Sequence, residues 1–191
     1  MRLVKCSDAD PHAPVGLDPV TGLLDHRGFV EILEGMVQVS AMADLGACLA
    51  LFGFDGLAAH EEGRVAGVIT YHVRSTDVLG ALADGTVAVL FEAGSVAGAE
   101  AAVVRVRKIC QVALPGCRCA VGMACTAEGT VGAEELIARA GVALGRARRL
   151  GVGVDVWTQT PPDLGPPRVH PASAGSEAWR EYSARRALRA R

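Results

Sequence analysis

Arg74-Ser75-Thr76-Asp77 places a guanidinium three residues ahead of a carboxylate. Arginine offers a planar fork that pairs with the oxygens of a phosphate or a carboxylate. A carboxylate accepts from N–H donors. The same four residues have a plainer explanation, because Arg and Asp are common around helix ends and a surface pair contributes only about 0 to 1 kcal/mol. Asp55, Glu61, Glu62 and Asp84 carry the hard oxygens that magnesium takes. Of these, Asp84 precedes Gly85 and suits a turn, and Glu61 and Glu62 suit solvated loop charges. Cys6, Cys48, Cys110, Cys117, Cys119 and Cys125 form no C-x-x-C pair and have no His at zinc-finger spacing. They are expected to be structural thiols, with Cys117 and Cys119 on one face of a strand.

The elements that must position these groups follow from composition and periodicity. The chain has 191 residues, half of them hydrophobic, enough for one well-buried domain with a tail. Nineteen basic residues stand against 21 acidic ones, a formal charge of −2. That balance gives no overall field to draw in nucleic acid or an anionic membrane. No apolar run approaches the roughly 20 residues of a membrane helix, and the N-terminus lacks the layout of a secretory signal. A cytoplasmic protein is expected.

Residues 1–17, with Pro11 and Pro14, are expected to be a lead-in segment. From Asp25, a plausible cap, Phe29, Ile32, Leu33, Met36 and Val37 recur at helical spacing. Ala47 to Phe54 is a buried strand, and Arg64 to Arg74 a weaker helix. Val78 to Phe91 is a hairpin turning at Ala83-Asp84-Gly85-Thr86, because an Asp-Gly pair between apolar runs favours a tight turn. Val96 to Leu114 is a helix stopped by Pro115-Gly116, and Cys117 to Cys125 is a strand. Ala133 to Leu150 is a helix with Arg146, Arg148 and Arg149 near its end, where cations complement the dipole. Gly151 stops it, and Val154 to Trp157 is a last strand. From the first strand onward the order is β-α-β-β-α-β, an α/β (α+β) chain of ferredoxin-like or palm type. Its central sheet is mixed, largely antiparallel and flanked by helices.

After Thr158 the composition changes. Residues 159–176 hold Pro161, Pro162, Pro166, Pro167 and Pro171, an extended linker. Residues 177–191 carry Arg180, Arg185, Arg186, Arg189 and Arg191, either a solvated tail or a contact for a partner.

Residues 18–158 resemble a known family block by block. Asp18 to Phe29, D-P-V-T-G-L-L-D-H-R-G-F, is similar to the D-x-L-T-G-L-x-N-R-R-x-F opening of GGDEF domains. Arg74 to Asp77 resembles the family's R-x-x-D, which precedes the signature hairpin. Ala120 to Ala124 (A-V-G-M-A) looks like S-I-G-V-A, and Ala140 to Gly151 like A-D-x-A-L-Y-x-A-K-x-x-G. The resemblance implies a nucleotidyl cyclase fold and a place in cyclic di-GMP signalling.

It also implies that the chemistry is lost. Family members join two GTP molecules into cyclic di-GMP, using metal ions on the triphosphates. In register, Ala83, Asp84, Gly85, Thr86 and Val87 occupy the G-G-D/E-E-F positions, so the two acidic positions are Gly85 and Thr86. The first strand's D-x-D becomes Gly53-Phe54-Asp55, with Gly53 at the metal-binding Asp. The base-recognising stretch after that strand is shortened to H-E-E-G-R-V-A-G. Arg148 keeps a cation where the family has a phosphate-facing Lys. No catalytic residue, metal or cofactor is expected.

What the resemblance leaves is the family's product site. Asp77 lies six residues before Ala83, and Arg105 lies 18 residues after Val87, both at family spacing. The expected site for cyclic di-GMP is Arg74, Asp77 and Arg105. The arginines would hold phosphates and base edges, and Asp77 would read guanine. The ligand would bind as an intercalated dimer or between two protomers, which allows a homodimer. The leading expectation is a catalytically inactive receptor for cyclic di-GMP. A nucleotide-free scaffold recruiting a protein partner through its surface or C-terminal tail is the alternative, and a residual cyclase using Asp55, Glu61 or Asp84 comes third.

Overall fold

A computed structural model describes residues 16–43, 47–92, 96–126 and 132–158. Cys6, most of the lead-in, the linker and the basic tail lie outside the described residues, as does the side chain of Asp84. Among the described residues nine helices and strands follow one another: α1 (His26–Ala43), β1 (Ala47–Asp55), α2 (Glu62–His72), β2 (Val78–Ala81), β3 (Val87–Glu92), α3 (Val96–Ala113), β4 (Arg118–Cys125), α4 (Ala133–Leu150) and β5 (Val154–Val156). Single 3-10 turns at Ala59–Glu61 and Ala83–Gly85 lead into α2 and join β2 to β3.

The five strands form one sheet in the order β2-β3-β1-β4-β5. β1 pairs antiparallel with β3 (Cys48 opposite Phe91) and with β4 (Gly53 opposite Ala120, Asp55 opposite Arg118). β2 and β3 are antiparallel, while β4 and β5 are parallel. The expected mixed, largely antiparallel sheet flanked by helices is therefore present.

Side-chain alternation along the central strands sorts the core into two layers. Cys48, Ala50, Phe52 and Phe54 join Val65 and Ile69 of α2 and Val103, Val106 and Cys110 of α3. Leu49 and Leu51 face the other way, onto Phe29 and Leu33 of α1 and Leu136, Ala140 and Leu144 of α4. Cys117 precedes β4, yet it packs with Cys119 in the α2–α3 layer, so the two share a face. Cys119 holds its proton more strongly than a free thiol because it hydrogen-bonds Cys110 and is buried.

The local signals work through identifiable contacts. Asp25 caps α1, its Oδ1 accepting the Gly28 amide at 2.8 Å. Asp18 organises the segment before it. Its Oδ1 accepts the Thr21 hydroxyl at 2.6 Å and the Thr21 amide at 2.8 Å, while Gly22 turns at φ 70°. That loop feeds Leu24 alongside Gly80 of β2, where the Ala81 amide donates to the Leu24 carbonyl at 2.8 Å. The sheet edge is thereby covered. Phe29 lies directly on Gly80, where a Cβ would come within 2.6 Å of the ring.

Several boundaries differ from the sequence expectation by a single residue, as β4 does by starting at Arg118, and two differences have a structural cause. α2 ends at His72 rather than Arg74, because Asp77 draws the next residues into a turn. The hairpin loop is longer than a two-residue turn. Its 3-10 turn is closed by the Leu82 amide on the Thr86 carbonyl at 2.8 Å, with Gly85 at φ 67°.

α4 has the bounds expected and ends on Gly151 in the left-handed region, φ 67°. Its backbone meets β4 at Gly122, where a Cβ would overlap the Leu144 amide and the Ala140 carbonyl and lie 2.6 Å from the Leu144 Cα. Arg146 ties the helix to β5. Its Nε donates to Asp155 Oδ2 at 2.6 Å and its Nη2 to the Val156 carbonyl at 2.9 Å, in a pair almost wholly shielded from water.

Two stability predictions follow from these contacts. Gly122→Ala must push α4 off the sheet, and urea unfolding is expected to show a loss of about 1–3 kcal/mol or more. For Asp18, the Thr21 hydroxyl and then the Thr21 amide hold its carboxyl below the usual 3.8. A depressed folded-state value means its contribution is complete above 3.8 and disappears as pH falls through the lower folded value. The stability gap between the wild type and Asp18→Asn should be present at neutral pH and close in acid.

Candidate functional sites at the two ends of the sheet

The first expected site stands at the end of α2. The backbone of Arg74 and the side chain of Asp77 close a reciprocal turn. Asp77 Oδ2 accepts the Arg74 amide at 2.8 Å, and the Asp77 amide donates to the Arg74 carbonyl at 3.1 Å. Asp77 is 8% exposed, whereas Arg74 points into solvent. Among the described residues no ion pair joins the Arg74 guanidinium to Asp77, so the motif is not a surface salt bridge. One oxygen of Asp77 shapes the turn that presents Arg74.

α3 packs beside α2 and carries Arg105 to the same place. Arg105 Nη2 donates to the His72 carbonyl at 3.2 Å, two residues before Arg74. Arg105 and Lys108, one turn apart, line an open groove of about 620 Å³ along α3 with Glu100 and Val104. Two exposed guanidiniums, Arg74 and Arg105, thus stand near the end of α2, a chemistry suited to a phosphate-bearing ligand.

The second cluster lies at the opposite end of the sheet, where β1 ends, α2 begins and the β2–β3 hairpin turns. Gly53 and Asp55 share the face of β1 that looks toward α4. Arg148 fills the space a side chain at Gly53 would take: a Cβ there would sit 2.8 Å from its Cζ and against its Nη2. The Nε of the same guanidinium forms an ion pair with Asp55 Oδ1 at 3.2 Å, and Arg118 Nη2 stands 4.0 Å from Asp55 Oδ2. Both partners of the Arg148–Asp55 pair are more than a third exposed, so water screens the attraction and its worth is modest.

The other acids are committed locally. Glu61 Oε2 accepts the Ala58 amide at 3.3 Å, and its Oε1 lies 4.0 Å from Arg64 Nη1, just before α2. Glu62 reaches the hairpin, its Oε1 3.5 Å from the Cβ position of Gly85.

These residues do not suit magnesium. The ion demands an octahedron of oxygens at about 2.0–2.1 Å. Gly53 and Gly85 offer no side chain, Thr86 offers a neutral hydroxyl, and Asp55 faces two guanidiniums. Among the described residues no group of three His, Cys, Asp or Glu side chains comes together to hold a metal.

The Arg148–Asp55 contact was not legible in the sequence, where Arg148 was explained by the helix dipole. Its only signal was paired: a Gly at the family's Asp position and an Arg at the family's Lys position.

No protein-family profile matches the chain, and no curated protein is similar to it in sequence. Solved structures are similar in fold. The GGDEF domain of PA1120 (TpbB or YfiN) from Pseudomonas aeruginosa superposes with a TM-score of 0.63 at 19% identity, over 75% of this chain and 95% of that one. The coiled coil and GGDEF domain of DgcB from Caulobacter crescentus, in complex with c-di-GMP, gives 0.65 at 16% identity, over 73% and 84%. The FimX GGDEF domain from Pseudomonas aeruginosa gives 0.63 at 24% identity, over 73% and 98%. Together with the strand order and the two helical layers, these likenesses show that the chain has the GGDEF-domain fold.

Proposed function

We propose that this protein is a receptor for cyclic di-GMP that has no diguanylate cyclase activity. The observation that carries the proposal is the convergence of Arg74, Asp77 and Arg105. The turn closed by Asp77 holds Arg74 outward, and Arg105 reaches the α2 terminus beside it. The ligand's two phosphates match the two guanidiniums, and its guanine edges offer O6 and N7 acceptors and N1 and N2 donors. DgcB, whose GGDEF domain has the same fold, is in complex with this dinucleotide.

The absence of cyclase activity rests on the other end of the sheet. Two-metal phosphoryl transfer requires carboxylates where Gly53, Gly85 and Thr86 stand. Asp55, the carboxylate left at the end of the first strand, is paired with Arg148.

Calorimetric titration of cyclic di-GMP into the wild type should give saturable binding. Arg74→Ala and Arg105→Ala should each weaken it by roughly tenfold or more, the worth of a charged hydrogen bond at about 1.5–3 kcal/mol. An isotherm without saturation in the wild type, or one unchanged in both variants, would contradict the receptor role. Incubated with GTP and magnesium, the protein is expected to form no cyclic di-GMP. Product that disappears in Asp55→Ala would overturn that expectation.

A further inference from the structure

We infer that Arg148 is a resident cation, lodged where a divalent metal would have to bind, and that it closes this end of the sheet to metal. The inference shares its register with the proposed loss of cyclase activity, but it does not depend on ligand binding at Arg74. It goes further, because missing ligands alone would leave an empty cradle, and the cradle here is filled.

Three observations carry it. The guanidinium occupies the side-chain space of Gly53, with Cζ 2.8 Å from the Cβ position. The same group takes Asp55 Oδ1 at 3.2 Å, the remaining carboxylate of the strand end. Its placement is also fixed from behind, because α4 is seated on Gly122 at Ala140 and Leu144, and Leu144 Cδ2 itself lies 3.1 Å from the Cβ position of Gly53. Residues 140, 144 and 148 form one stripe of the helix, so the contact that seats the helix also directs Arg148 over Gly53.

The electrostatics point the same way. A guanidinium stays protonated at any ordinary pH, and a second cation entering the site meets repulsion at short range. Arg118, beside Asp55, adds to it. A carboxylate restored at position 53 would meet Arg148 first. It would form an Arg–carboxylate pair instead of a metal site.

Manganese, read by the electron paramagnetic resonance of the free ion, serves as the probe for magnesium-type binding. Wild type and Gly53→Asp are expected to leave manganese free. The double variant Gly53→Asp, Arg148→Ala should bind it at least roughly tenfold more tightly than the single variant, since a carboxylate gains and a cation leaves. If the single variant binds as well as the double, or the double binds no better than wild type, Arg148 is not what excludes the metal.

A second measurement needs no substitution at Gly53. In wild-type protein the Arg148 Nε–H resonance, assigned by its loss in Arg148→Lys, should keep its position as magnesium is added. A saturable shift would overturn the inference. Neither experiment involves cyclic di-GMP, so failure here and failure of the receptor role are separate results.

Discussion

Ala140 and Leu144 present backbone rather than side chains to Gly122 of β4, and the helix axis cannot move closer or farther without opening the core between them. This close seating of α4 on the sheet fixes much else. One turn beyond Leu144, Arg148 is directed over Gly53 and onto Asp55. Between them, Arg146 reaches past the sheet edge to Asp155 and anchors β5, the parallel strand that completes the sheet. Earlier on the helix, Arg139 stacks over Trp157 with its Cζ 4.1 Å from the ring centre and takes Glu135 at 2.9 Å. A single small residue in β4 thus lets one helix deliver three arginines to three different tasks.

The sheet also sets the two candidate sites apart. β1 runs from the end where Cys48 faces Phe91 to the end where Asp55 faces Arg118. The Arg74–Asp77 turn precedes β2, whose Val78 faces Leu90, one position from the first of these ends. The Gly53–Asp55 cluster lies at the other, on the α1–α4 layer, whereas Arg105 belongs to the α2–α3 layer. Ligand chemistry at the turn is therefore insulated from the cation-filled cluster by the thickness and length of a packed sheet. Loss of carboxylates at one end places no demand on the guanidiniums at the other.

Much of this architecture was legible because it is local. Asp25 caps the helix it precedes, Gly151 ends α4 at φ 67°, and Cys117 and Cys119 share one face as their spacing implies. The candidate product-site residues were legible only through family spacing, since nothing in an R-x-x-D tetrapeptide reveals that Arg105 sits beside it. What could not be foreseen depends on register between distant segments. Gly53 and Arg148 meet only because β1 and β4 pair as they do and α4 is seated at Gly122. The turn role of Asp77 was hidden for the opposite reason. A carboxylate can reach its own backbone or a ligand with equal ease on paper, and only the folded turn shows that one oxygen is taken by the Arg74 amide.

The central claim is that the end of the sheet bearing Arg74, Asp77 and Arg105 binds while the end bearing Gly53 and Asp55 does not. Backbone amide resonances followed by nuclear magnetic resonance during titration with cyclic di-GMP test it most directly. The account predicts saturable shifts confined to residues 73–77 and the stretch of α3 around Arg105, with Gly53, Asp55 and Arg148 unmoved. A spectrum that does not change, or shifts centred on Gly53 and Asp55, would contradict it.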